Sequence, residues 1–169
     1  GKSSFFIKAD SCLFRKIYPN EGLHEVMLAI ASGKIIKVKY LKDVGFMKED
    51  LFIDWVDIEW CWRAIKKQYK IIGNANIVIK HHHGQSSIQI GNRIITVKKP
   101  IRQYYHVRNA FYLGIYSDVL PFKCRIIHLL KAIRYTLLYP ILVKPHFTNL
   151  KYCLLGFWHG ITKRLGRLE

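Results

Sequence analysis

Acidic side chains are scarce in this chain: eleven Asp and Glu stand against 28 Lys and Arg on 169 residues, a formal net charge of +17. So lopsided a balance points to a polyanionic partner: nucleic acid, an anionic membrane face or a phosphorylated substrate. Long apolar runs are missing too. The longest candidate, Tyr135 to Val143, covers nine residues with Pro140 inside it, well short of the roughly 20 that a bilayer span requires. Phe5-Phe6-Ile7 is too short for a signal peptide. The four cysteines, Cys12, Cys61, Cys124 and Cys153, form no C-x-x-C spacing, which argues against zinc and redox motifs and favours a reducing, cytosolic compartment. Cys61, between two tryptophans, reads as a small core hydrophobe. Repeats and low-complexity tracts are absent. A hydrophobic share of 50% with 14% aromatics excludes a disordered or collagen-like chain.

What charge there is lies unevenly. Residues 1–96 carry 15 basic and 9 acidic side chains, residues 97–169 carry 13 and 2. Five of the acids, Glu49, Asp50, Asp54, Asp57 and Glu59, crowd into eleven consecutive positions. Such an island repels itself unless cations or transferable protons use it. The stretch from Asp57 to Gln68 predicts a helix, with Asp54 or Asp57 as N-cap, Glu59 and Arg63 as an i,i+4 pair, and Ile58, Trp62 and Ile65 on its apolar face. A turn at Gly73-Asn74 and a short apolar strand over Ala75 to Ile79 follow, and His81-His82-His83 sits at the strand's exit. Upstream, Val26 to Ile30, Ile35 to Val38 and Leu41 to Val44 suggest strand and helix pieces around a Ser32-Gly33 turn.

From Pro100 onward the pattern is helical. Proline suits the first turn of a helix over Pro100 to Tyr116. Two more helices are predicted over Leu120 to Val143 and Thr148 to Leu165, separated by Lys144-Pro145. Ile126, Ile127, Leu129, Leu130, Ile133, Leu137 and Leu138 make a broad apolar face on the first of these two. Apolar faces with Tyr135, Tyr139, Tyr152, Trp158 and scattered Lys and Arg suit a helical extension lying on an anionic membrane. A dimerisation surface, or a face packed on further chain, fits the same pattern.

Several of these segments together resemble bacterial rhamnosyltransferases of glycosyltransferase family 2. They are Ser32-Gly33-Lys34-Ile35-Ile36, Val44 to Glu49, Leu51 to Arg63, His81-x-x-Gly84 and Pro100-x-Arg102-x-Tyr104-Tyr105-x-x-Arg108-Asn109, in consistent order over roughly residues 28–110. The resemblance implies an α/β fold, the C-terminal half of a Rossmann-like GT-A domain over 1–96 followed by a helical, basic extension over 97–169. It also implies inverting transfer of a sugar, rhamnose foremost, from dTDP-rhamnose or a UDP-sugar to a saccharide or lipid-linked saccharide. Such chemistry needs a base for the acceptor hydroxyl and a cation for the departing diphosphate.

By position in these motifs Asp57 is the base and Asp54 the runner-up; helix capping is the plain alternative for Asp57. His81, with His83 a weaker candidate, would join a Mg²⁺ or Mn²⁺ shell; an exposed polar loop is the plain alternative. Glu59, Trp55, Arg102, Tyr105 and Arg108 are candidates for substrate contact, the two arginines as a diphosphate clamp. A salt bridge for Glu59 and a solvated basic face for the arginines compete with that reading. The family carries an Asp-x-Asp motif that this chain lacks. With Gly1 as first residue, the chain is therefore expected to be the acceptor-side half of an enzyme, inactive alone and peripheral on the inner face of the bacterial plasma membrane, with a second copy of itself (a homo-oligomer) among its candidate partners. A basic nucleic-acid-binding or metal-dependent nuclease module explains the charge as a rival, although no DNA- or RNA-binding motif is present; a noncatalytic interaction module is a third reading.

Overall fold

The computed structural model describes residues 6–8, 12, 14–79, 87–91 and 93–168. His81 and His83, both expected near a metal, lie outside the described residues. Helices and small sheets alternate in a mixed α/β structure. Strands β1 (Phe6–Ile7), β2 (Lys16–Ile17) and β3 (Leu23–Val26) precede helix α1 (Val38–Val44), a short 3₁₀ turn (Glu49–Leu51) and helix α2 (Val56–Lys66). Then come β4 (Ile71–Asn74), β5 (Ser87–Ile90), β6 (Arg93–Thr96), α3 (Pro100–Tyr116), α4 (Phe122–Leu142) and α5 (His146–Ile161).

Every ladder among the described residues is antiparallel and two-stranded. β3 pairs with β4 in the register Leu23 to Asn74 through Val26 to Ile71, and a Lys8–Val26 bridge ties the β1–β2 pair to it. The strand predicted at Ala75 to Ile79 does not form. Pairing ends at Asn74, whose side chain accepts the Asn76 N–H at 3.0 Å, while Asn76 Oδ1 accepts the Gly22 N–H at 2.9 Å. Asparagine turn chemistry overrides the apolar run, and Ile77, Val78 and Ile79 are exposed. Residues Gly73 and Asn74, read as a turn, are instead ladder residues.

Of the three long helices α3 starts where the sequence suggests, with Pro100 in its first turn, while α4 begins two residues later than expected, and α5 begins two earlier and ends at Ile161 rather than Leu165. Their faces are another matter. α3 packs against both α4 and α5, but the residues that α4 buries are Cys124, His128, Ala132, Thr136, Tyr139 and Pro140. The predicted apolar face points largely outward, with Ile126, Leu130, Ile133, Leu137 and Leu138 exposed. α5 likewise buries Asn149, Cys153, Gly156 and Gly160. Small residues are required there because a Cβ on Gly156 would lie 2.6 Å from the Tyr104 carbonyl oxygen, and one on Gly160 2.6 Å from that of Arg108. Gly160→Ala is expected to cost about 1–3 kcal/mol by overpacking against backbone, despite alanine's better helix propensity; a lowered urea midpoint checks it.

A core cluster of Leu51, Trp62, Leu113, Leu120 and Cys124 joins α2 to the helical region. Cys12 and Cys124 meet there as a disulfide across 112 positions, with Cα atoms 5.1 Å apart; linear spacing does not disclose this pairing, and the reading of the cysteines as reduced thiols did not include it. Cys61 is free and buried, packed with Val44, Trp60 and Ala64.

Candidate functional site

The acidic island is held by an unusual backbone. Phe52, Asp54 and Trp55 all adopt positive φ, at 59°, 56° and 62°, conformations that cost non-glycine residues on the order of 1–3 kcal/mol each. Two α3 side chains hold this segment in place. Asn109 Nδ2 donates to the carbonyls of Leu51, Ile53 and Asp54 at 2.8, 2.9 and 3.2 Å. Arg108 donates to Asp50 and Leu51 at 3.1 and 3.0 Å, to the Gly166 carbonyl and to Asn109 Oδ1. Adjacent residues of one helix thus clamp the turn that carries Asp54, Trp55 and the start of α2.

Neither aspartate caps α2. The N-cap is Trp55 in the left-handed region, without a side-chain cap. Asp57 reaches instead to the 31–34 turn, where its Oδ2 accepts the Ala31 N–H at 3.1 Å and its Oδ1 pairs with Lys34 Nζ at 3.0 Å. The turn needs Gly33, whose φ is +83°. Asp57's side chain keeps 29% of its surface in solvent, so the carboxylate is oriented by two donors yet reachable.

Asp54 is more enclosed. Arg102 donates to it from Nε and Nη2, the shortest contact being 2.9 Å, and Lys98 Nζ stands 3.6 Å away. Burial pushes the Asp54 carboxyl upward, but the Arg102 hydrogen bonds and the positive charges of Lys98 and Arg102 outweigh it and hold it below its usual range.

The remaining candidates divide. Glu59 is fully buried between Arg63 at 3.0 Å and Lys48 at 3.1 Å, and Arg63 goes on to donate to the Val44 and Phe46 carbonyls. Arg108 is fully buried, and Tyr105 nearly so, its ring tilted against Phe52 and edge-on to Tyr104, with its hydroxyl accepting the Leu168 N–H. The polar atoms of all three are taken up internally: Glu59 by two cations, Arg108 by carbonyls of the left-handed turn, and the Tyr105 hydroxyl by the Leu168 N–H. Arg102 and Arg108 therefore share no solvent-facing clamp. Trp55 donates its indole N–H to the His106 carbonyl at 3.1 Å. Its ring lines a cavity of about 230 Å³ with Phe14, His106, His128 and Tyr135.

Burial lowers His106 to about 3, aided by Lys98, and lowers His128 to about 4. Both rings are therefore neutral in the folded chain but take a proton near pH 6.5 when unfolded. The unfolded state binds more protons, so stability is full above that pH and falls as pH drops toward 4. Asp54, with its folded value depressed, adds a loss that begins as pH falls into the ordinary carboxylate range and continues below it. The urea midpoint should fall between pH 7 and pH 5 by the equivalent of about 1 kcal/mol or more per imidazole. His128→Gln should flatten that slope.

Among the described residues no three His, Cys, Asp or Glu side chains come together as a metal shell. Sequence reasoning gave no role to Lys34, which pairs with Asp57, or to Lys98 and Asn109, which hold the acidic turn. Asn109 was visible only as the partner of Arg108 in the Pro100-to-Asn109 run.

Part of this chain is similar to a rhamnosyltransferase. Over 103 residues it is 37% identical to the dTDP-rhamnosyl transferase RfbF of Shigella flexneri, which covers 60% of this chain and 35% of that relative. The chain thus spans about a third of the relative it matches. No family model and no solved structure matches it.

Proposed function

We propose that this chain is the acceptor-side portion of an inverting glycosyltransferase, a GT-A half-domain with a helical extension. It would transfer rhamnose or a related sugar from a nucleotide-linked donor to a saccharide or lipid-linked saccharide. The likeness to a dTDP-rhamnosyl transferase carries this reading. The strained, doubly clamped turn before α2 supports it, since backbone strain of this kind collects where side chains must be aimed.

In this reading Asp57 takes the proton from the acceptor hydroxyl as that oxygen bonds to the anomeric carbon. The bond from carbon to the donor's diphosphate breaks on the opposite face, and the diphosphate leaves with the electron pair. Ala31 and Lys34 each engage one carboxylate oxygen and hold the group in one orientation, with part of it open to solvent. Asp54 is the weaker base because the Arg102 fork favours its ionised form; with Arg102 it positions the turn. The partly exposed Trp55 ring offers a face on which a sugar can stack. A divalent Mg²⁺ or Mn²⁺, with His81 and then His83 as proposed ligands here and the rest from an Asp-x-Asp outside this chain, would neutralise the leaving diphosphate. The reaction is placed at the cytoplasmic face of the bacterial plasma membrane.

The test is a transfer assay on the protein that contains this chain, with dTDP-rhamnose and UDP-sugars offered separately and products read by mass spectrometry. Glycoside formation of inverted configuration is the expected result. Hydrolysis or no turnover with every donor would overturn the proposal.

A further inference from the structure

Helices α4 and α5 are packed the wrong way round for water. Along α4 the positions turned inward are Cys124, His128, Ala132, Thr136 and Tyr139, while Phe122, Ile126, Leu130, Ile133, Leu137 and Ile141 are exposed. Steps of four, four, three, four and four residues put those six side chains on one stripe, roughly 30 Å long at 1.5 Å per residue. α5 repeats the arrangement. Gly156 and Gly160 sit against the α3 backbone, and Phe147, Leu150, Leu154 and Trp158 face out, Phe147 at 89% and Trp158 at 53% exposure. A helix bathed in water on its outer side carries the opposite distribution, and an exposed apolar area of this extent marks an interaction surface.

The charges choose the occupant. Between Asp118 and Glu169 there is no acidic residue, and Lys123, Arg134, Lys144 and Lys151 are exposed on and between the two helices. A second copy of this surface would bring cations against cations. A bilayer containing anionic lipid accepts both the apolar stripes and the flanking Lys and Arg. No helix among the described residues is long and apolar enough to cross a membrane, so the mode is in-plane burial rather than spanning.

We propose that the outer faces of α4 and α5 form a docking surface for an anionic lipid bilayer, the stripes lying among the acyl chains and the cations among the headgroups. This rests on packing and charge and stands independently of the sugar-transfer reading.

The protein that contains this chain is floated with vesicles of phosphatidylcholine alone, and of phosphatidylcholine with phosphatidylglycerol, at low and high salt. Partition at least tenfold stronger into the phosphatidylglycerol vesicles, weakening with salt, is expected. Leu130→Glu with Leu137→Glu, both at residues 62% exposed and thus compatible with an unchanged circular dichroism spectrum, should reduce partition at least tenfold. Lys144→Gln and Lys151→Gln should each reduce it about fivefold. Absence of binding, binding indifferent to lipid charge, or binding unchanged by the glutamate pair overturns the proposal. So does a dimer in vesicle-free solution that the glutamate pair dissolves, which would assign the surface to a second copy. Transfer to a water-soluble acceptor is scored separately, so loss of docking and loss of chemistry are distinguishable.

Discussion

Asp57→Asn in the protein that contains this chain should lower kcat by about 10²- to 10⁴-fold, the usual contribution of a positioned general base, with donor affinity unchanged. Asparagine is nearly isosteric, and its carbonyl oxygen can still accept the Ala31 N–H that the carboxylate accepts at 3.1 Å. What is lost is proton affinity and the pairing with Lys34. Lys34→Met separates these two losses, because it removes the cation and leaves the carboxylate. A modest fall for Lys34→Met beside a severe one for Asp57→Asn identifies proton abstraction as the step at stake. Asp54→Asn should act differently, lowering stability through the Arg102 and Lys98 contacts and kcat only by way of the turn. Retention of most of the rate in Asp57→Asn would remove it from the role of base.

Arg108→Ala should destabilise the fold by about 3–5 kcal/mol, read as a fall in the urea midpoint. The guanidinium is fully buried, and its donors satisfy the carbonyls of Asp50, Leu51 and Gly166. Removing it takes away the Gly166 carbonyl's guanidinium donor and one of several donors to Asp50 and Leu51, which keep the Gly166 N–H and Asn109, each charge-assisted bond being worth about 1.5–3 kcal/mol, and it opens a cavity beside Tyr104 and Tyr105, whose rings lie 5.5 and 5.0 Å from the guanidinium carbon. Arg108→Lys should restore little, since an ammonium cannot fork to several carbonyls. The same change should release the turn at Phe52 to Trp55, so limited proteolysis between α1 and α2 should accelerate. An Arg108→Ala protein as stable as the parent would show that the clamp is dispensable.

These two residues show how far a linear reading reaches. Asp57 was singled out by its place in the motifs that carry the resemblance, with helix capping as the plain alternative, and the structure replaces capping by bonds to the 31–34 turn. Its restraints could not be found that way, since Ala31 and Lys34 lie more than twenty positions upstream. Arg108 misled for the opposite reason. A cation on a predicted helix reads as solvated or ligand-binding, and nothing along the chain announces that left-handed residues 50 positions earlier free carbonyls for it to bind. Glu59 and Arg63 were legible as an i,i+4 pair; that Lys48 completes a fully buried cluster was not.

Helix positions and lengths follow from the chain's own pattern: Pro100 opens α3, Lys144-Pro145 separates α4 from α5, and apolar periodicity marks α2. These are contacts among near neighbours, which composition and spacing record directly. Which face each helix buries was decided by tertiary packing. α3 approaches so closely that only glycine fits at Gly156 and Gly160, and the large apolar side chains of α4 and α5 are left outside. Steric exclusion at a helix crossing, and hydrogen bonding across fifty residues or more, leave no periodic trace for a sequence to show.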